Sequence, residues 1–424
     1  MLGQKLKKVG NHWALDLLGG CSGIAIALGL IRFDFGILGS LMAHAKWIEV
    51  EDIGKLAAIN MFGYLAGCIQ QASIKSRSVS IRYLRIAIFV IIISMIFEGR
   101  LINFQSQSIL RLLCGWGAAH LVSGLPTLAL ERVPQQWRRK ATGGMMCGGG
   151  IGALLGAIAI GTYSPTSAAN AWTIFAILTI ALSLPTLELL SRRAQHKNNN
   201  SESAESTIQD NKKSNQNHHK SRTAKSLIPI IILGFALMQV GQVPAILYER
   251  LVAINKIGIT SKLSSNIDSL FGVGLILGGL IPTLTPAKLT TKAFLPIISM
   301  VGLLGVVLFG FANSAEILSL SIFLIGTWDM MTGTLTLDRL GELCDEDAQR
   351  RAWATATSIG ALGFIIFSSA TSHLSRENIG LILTLGVAVV AMQVGLEWIQ
   401  YAISSNQTIK RRKHTQPSSQ QAHH

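Results

Sequence analysis

Apolar residues in this chain gather in long runs separated by short polar stretches. A helix needs about 20 mostly apolar residues to cross the hydrocarbon layer of a bilayer. Twelve runs are read as crossings: 14–42, 54–74, 83–98, 106–130, 141–162, 170–190, 227–249, 266–286, 293–312, 316–338, 352–372 and 378–402. The third is short and the tenth is interrupted by polar residues, so ten or eleven crossings are the alternatives. No run alternates as a membrane barrel strand does. The expected fold class is therefore an all-α membrane protein of twelve transmembrane helices. Lys5, Lys7 and Lys8 precede the first run as they would in a signal peptide. That run is too long for a signal core and carries Arg32 and Asp34 deep inside, so it is expected to be an uncleaved helix.

Composition agrees with the pattern. Charged residues are 14 % of the 424, against about 25 % in soluble domains, and mean hydropathy is +0.43. Five cysteines form no CxxC pair and read as small hydrophobes, and no cofactor or metal site is expected. The net charge of +15 raises the question of nucleic acid, which the positions of the cations answer. With twelve crossings both termini share a side, and 28 of the 37 Lys and Arg fall on it. Only seven fall opposite: Lys46, Lys55, Arg100, Arg250, Lys256, Lys262 and Arg376. Cations spread in this way through short loops mark topology, with both ends cytoplasmic, and exclude a nucleic-acid partner. Trp13, Trp137, Trp353 and Trp398 fall near the inner boundary and Trp47 and Trp172 near the outer one, where amphipathic rings settle.

Segment 191–226 is rich in Ser, Asn, Gln and Lys and is expected to be a disordered cytoplasmic linker, with a similar tail at 404–424. It divides the chain into bundles at 1–190 and 227–403. Six crossings on each side invite a search for duplication. Thr127-Leu-Ala-Leu-Glu131-Arg132 at the end of crossing four matches Thr334-Leu-Thr-Leu-Asp338-Arg339 at the end of crossing ten, an offset of 207. Arg138-Arg139 matches Arg350-Arg351 at 212, and Phe62-Gly63 matches Phe271-Gly272 at 209. Two parallel six-helix repeats are a transporter architecture, with the substrate site between the repeats.

Several motifs then carry a family resemblance. Arg111-Leu-Leu-Cys-Gly115-Trp-Gly117-Ala-Ala119, and Glu131-x-x-Pro134 followed by Arg138-Arg139, resemble motifs of the major facilitator superfamily. Gly29-Leu-Ile-Arg32-Phe33-Asp-Phe35, Asn60-Met-Phe-Gly63-Tyr64 and Gly148-Gly-Gly-Ile-Gly152 are similar to its YbfB/YjiJ-type branch. The segment Gly67–Arg77 keeps the superfamily's cations and lacks its Asp, and crossing five lacks the Gly-Pro step of drug antiporters. The resemblance implies a multi-pass protein of a bacterial inner membrane, monomeric, whose crossings one, four, seven and ten line a central cavity.

Candidate pathway residues follow from the cost of burying charge in lipid, at least about 2.5–3.5 kcal/mol at the midplane. Arg32 shares a helix face with Ala25, Gly29, Gly36 and Gly39, which leaves room for ligand or equally for close helix packing. Asp34, about 200° around the helix from Arg32, is not its intrahelical partner. Arg111 and Asp329, the latter beside Trp328, are each a pathway group or a structural strut. Trp116, His120, Ser123 and Thr127 form a polar stripe on crossing four, its last three members mapping to Thr327, Met330 and Thr334. His120 alone reads more readily as a satisfied structural residue. Gln239 and Gln242 flank Gly241 ahead of Pro244, which can kink crossing seven. Asn60 and Tyr64 complete the candidate set. Gly148, Gly152 and Gly156 read as a close-packing stripe. Glu131, Arg138, Arg139, Asp338, Arg350 and Arg351 form a candidate cytoplasmic gate, bridging when the cavity faces outward.

The leading functional expectation is a secondary transporter of a small organic solute, anionic or amphiphilic, with protons as the candidate coupling ion and lipid as its surroundings. No Walker-type loop points to ATP. An integral membrane transferase and a transport-inactive sensor of the same fold are the alternatives. The sequence is not read as that of an enzyme, because its short loops hold no nucleophile, base or metal constellation.

Overall fold

The computed structural model describes the backbone of residues 2–415 except 75, 135–136, 164–166, 204–221, 286–290, 345, 373 and 375–377. Side chains are described between 13 and 406, apart from those gaps and 196–226, 261–262, 346–347 and 350. All regular structure among these residues is helical. We number the helices by crossing: α1 (Trp13–His44), α2 (Val50–Ser73), α3 (Arg77–Glu98), α4 (Phe104–Leu130), α5 (Arg138–Tyr163) and α6 (Ala168–Ser203). The second set is α7 (Leu227–Ile257), α8 (Ser261–Leu284), α9 (Thr291–Phe311), α10 (Ala315–Leu343), α11 (Glu346–Ser372) and α12 (Ile379–Thr415).

Eleven of these have the length and apolarity of a membrane span among the described residues. The exception, α2, is 24 residues long and opens on Glu51, Asp52 and Lys55, which lower its hydropathy. Its start is fixed by a reciprocal cap in which Glu49 and Asp52 each accept from the other's backbone N–H. Its apolar face is buried in the bundle. Large apolar side chains such as Phe89, Ile109, Leu184 and Met392 stand exposed around the outside, a surface that only a lipid solvent suits.

Two helices break at matching depths. α1 passes through a π-helical stretch, Ala25–Phe33, and stops at Asp34 before resuming as Phe35–His44. α7 stops at Gln242 and resumes as Val243–Leu251, with Pro244 in the new first turn. Asp34 and Gln242 are 208 residues apart, so the breaks are copies of one feature under the internal duplication.

Helices α1–α6 and α7–α12 form two bundles that meet along α5 with α8 and along α2 with α11. These two seams are each other's counterparts under the repeat. Glycine sets the closeness of the first: a Cβ at Gly150 would lie 2.6 Å from the Ile276 nitrogen, and one at Gly143 only 2.5 Å from the Gly279 carbonyl. Gly148, Gly152 and Gly156 point elsewhere, packing α5 on Cys21, Ala25 and Asp34 of α1 within the first bundle. Their stripe is a close-packing one, as read, but it does not lie between the bundles.

Several expectations need correction. Helix α6 continues to Ser203, past the expected boundary at 190, and α12 continues to Thr415. Backbone hydrogen bonding extends these helices beyond their apolar runs. The expected disorder at 204–221 and 416–424 lies outside the described residues. Arg250, counted as a loop cation, is buried in α7 beside Asp268. Trp172 and Trp353 are buried against other side chains, where an interfacial ring would face headgroups.

Candidate functional site

The stretches that lead into the two helix breaks face each other across a cavity between the bundles. Its wall is built by Leu28, Arg32 and Phe33 of α1, Met61 and Tyr64 of α2, Val122 of α4 and Met146 of α5. The second bundle supplies Phe235, Met238 and Gln239 of α7, Asp329, Met330 and Gly333 of α10, and Trp353 and Thr357 of α11. The cavity is narrow: its non-atom space, counting the open mouth, is about 540 Å³.

Polar groups from both bundles converge here. An Arg32 Nη2 donor reaches the Oε1 of Gln239, 207 residues away. The Gln242 amide is assigned from its hydrogen-bond partners. With its nitrogen toward Asp329 it donates to Oδ2 at 2.9 Å and Oδ1 at 3.2 Å, and its oxygen accepts from Arg32 Nη2 at 2.9 Å while lying 3.1 Å from the Gln239 Oε1 acceptor; the reversed amide donates to that Gln239 oxygen instead. Among the described residues no direct ion pair joins Arg32 to Asp329, so the amide stands between the two charges. The Arg32 guanidinium also lies 5.6 Å from the ring centres of Phe33 and Phe364, an arrangement that offsets part of its desolvation.

Toward the end of the molecule where α6 stops and α7 starts, here the linker face, Trp353 lines both this cavity and a vestibule of about 1690 Å³ of empty space, counting its open mouth. Ser123, Thr127, Glu131, Arg138, Arg139 and Asp338 are among its lining residues. Toward the opposite face the bundles touch directly. A Cβ at Gly36 would lie 2.5 Å from the Ile246 carbonyl, and Phe33 packs edge-on against Phe271 at 5.2 Å. At that contact Asp34 lines a separate small cavity with Glu249, Arg250 and Asp268, whose wall also includes Gly36, Ile246 and Phe271. Asp34 therefore belongs to the far end and not to the Arg32 site.

Other candidates sit inside one bundle. Arg111, 1 % exposed, donates to the Ile31 carbonyl at 2.8 Å, lies 4.0 Å over the Phe35 ring and sits 3.8 Å from Glu98. Asn60 donates to the Arg111 carbonyl at 2.9 Å, and this fixes α2 against α4 where a Cβ at Gly115 would collide with the Asn60 carbonyl. His120 lies 2.8 Å from Gln71 Oε1 and 3.1 Å from Gln70 Oε1, stacked on Tyr83. Trp116 donates to the same Gln70 oxygen, so the upper part of the polar stripe faces α2 and α3. Ser123 and Thr127 alone of that stripe reach the vestibule. Trp328 is fully buried against Gly302 of α9. Arg111, His120 and Trp328 thus lie away from the cavity.

The gate residues divide similarly. Glu131 pairs within its own bundle, with Arg77 at 3.0 Å and Arg193 at 3.4 Å. Arg193 also holds the buried Asp16 at 2.8 Å. Asp338 accepts from Thr291 at 2.7 Å and lies 3.5 Å from Arg139 across the bundles. This pair joins the two bundles at the vestibule, where both residues are part of the lining. The Arg350 side chain lies outside the described residues.

Sequence reasoning missed Met61, Met146, Met238, Phe235 and Thr357 as cavity lining, and Glu98 as the partner of Arg111. Glu98 and Glu249 had a visible signal, since each is a carboxylate at the end of an apolar run. The methionines had none, because a side chain facing a cavity and one facing lipid are equally apolar.

Two broken first helices, two counterpart seams and a polar site between duplicated bundles define a membrane transporter of the major facilitator type. The chain belongs to the family described as the uncharacterised MFS-type transporter YbfB, which matches residues 24–399. No protein of curated function matches it in sequence. Among solved structures it is similar to a D-xylose–proton symporter, with TM-score 0.67 and 15 % identity over 91 % of this chain and 96 % of that one. It is also similar to the proton:xylose symporter XylE bound to 6-bromo-6-deoxy-D-glucose, with TM-score 0.66 and 15 % identity over 91 % and 94 %. At that identity the likeness is one of fold.

Proposed function

We propose that this chain is a secondary transporter that moves a small organic solute by alternating access. The convergence of Arg32 from one bundle with Gln239, Gln242 and Asp329 from the other carries this reading. A ligand gripping both bundles gains different contacts as they rotate, which is the differential interaction a conformational cycle requires. The linker face is the cytoplasmic one, in keeping with the excess of Lys and Arg there. The described conformation is then inward-open, sealed outside where Gly36 meets Ile246. Asp329 is the proton carrier: it is a buried carboxyl group within reach of the solute site, placed so that its charge matters to Arg32 and Gln242. Arg111, Asn60 and His120 hold the first bundle together.

The test is uptake into proteoliposomes with and without a pH gradient. Gradient-driven accumulation is expected for the wild type. Asp329→Asn is expected to lose accumulation at least tenfold while keeping solute exchange at equal pH. Accumulation by Asp329→Asn at the wild-type level refutes the assignment of the proton to this residue.

A further inference from the structure

The Arg32–Asp329 site carries more than a simple anion site needs. It holds one fixed cation and one carboxyl group in the same narrow cavity, without a direct ion pair between them. The Gln242 amide bridges them by presenting an acceptor to the guanidinium and a donor to both carboxyl oxygens. A small molecule with an ammonium and a carboxylate on one carbon presents the same two faces over a similarly short separation. We propose that the solute is such a zwitterion: an α-amino acid, or close derivative, with an apolar side chain.

With this cavity taken as the transport site proposed above, three observations point to such a solute. First, Arg32 Nε is buried and has no protein partner among the described residues, while Nη2 is turned toward Gln239 and Gln242. The guanidinium edge is thus incompletely used, and a carboxylate is the group that uses two of its N–H donors at once. Second, among the described residues Asp329 accepts a hydrogen bond only from the neutral Gln242 amide, so an incoming ammonium takes over that role without breaking an ion pair. Third, the rest of the wall suits an apolar side chain. Met61, Met146, Met238 and Met330 come from four different helices, with Phe235 and Trp353 beside them. Unbranched thioethers repack around side chains of varied shape, which predicts breadth among apolar amino acids. A single-charge analogue satisfies one of the two polar groups and leaves the other buried, which is how a site rejects a near-isostere.

The probes are L-leucine, L-methionine, 4-methylpentanoate and isopentylamine, titrated calorimetrically into the purified full-length protein. Either amino acid is expected to bind at least tenfold more tightly than both single-charge compounds. In Asp329→Asn the preference for leucine over 4-methylpentanoate is expected to collapse to within about threefold. Equal affinity for 4-methylpentanoate and leucine, a preference for the amine, or binding of none of the four overturns the proposal. If the variant does not fold, the comparison on the wild type alone decides. Flux in vesicles of phosphatidylethanolamine and phosphatidylglycerol separates this inference from the transport reading. Leucine binding without flux leaves the site assignment standing and sinks transport, whereas gradient-driven flux of 4-methylpentanoate without leucine binding does the reverse.

Discussion

Replacing Gly36 by Ala probes the transport cycle at a single atom. The added Cβ would lie 2.5 Å from the Ile246 carbonyl oxygen, about 0.9 Å inside the 3.4 Å at which ordinary contact begins. The nearest atom is backbone on the other bundle, so no side chain can swing aside. Overpacking of this kind costs about 1–3 kcal/mol. The cost falls only on the conformation in which the two broken helices touch at the far end, and 1–3 kcal/mol is about 5–150-fold in an equilibrium. The population therefore shifts toward the form closed at the vestibule. Thr127, exposed in the vestibule, serves as reporter when replaced by Cys, in a background where Cys21 and Cys344 are Ser. Cys68, Cys114 and Cys147 are buried. Labelling by a bulky maleimide is expected to slow at least fivefold in Gly36→Ala. Gly144→Ala is the control, since its Cβ would meet nothing within 4 Å, and its labelling is expected to stay within twofold of the parent. Unchanged labelling in a folded Gly36→Ala protein would refute the claim that this contact is a state-dependent seal.

Other expectations follow from the buried charges. Arg193→Met strands Asp16 in the first bundle and is expected to cost about 3–5 kcal/mol, read as a fall in Tm, with Asp16→Asn added in the same chain recovering part of it. Arg111→Met is expected to lower Tm in the same way, and Arg111→Met with Glu98→Gln to restore much of the stability and keep measurable flux. Loss of all flux in a thermally stable double variant would return Arg111 to the pathway.

The crossings were legible because lipid forces every span to be helical and apolar, and the duplication was legible because Glu131 and Asp338 end their helices in nearly identical context. Periodicity placed Arg32, Gln239 and Gln242 on plausible faces, yet it could not choose among partners. Arg111 and His120 looked as promising as Arg32, and only the positions of Glu98, Gln70 and Gln71 show that they are occupied within one bundle. The π-helical stretch before Asp34 left no sequence signal, since neither Pro nor a run of polar residues marks it. Trp353 was misplaced because an aromatic near a span end looks the same whether it meets headgroups or closes a cavity floor.

The paired breaks at Asp34 and Gln242 separate machinery from chemistry. At the 208-residue offset Arg32 corresponds to Val240 and Gln239 to Ile31, so a backbone shape present twice is decorated differently each time. The repeat sets where each first helix is interrupted, while the side chains beside the two interruptions have diverged. A relative with the same twin interruptions and other residues at these four places would move by the same stroke and carry a different load.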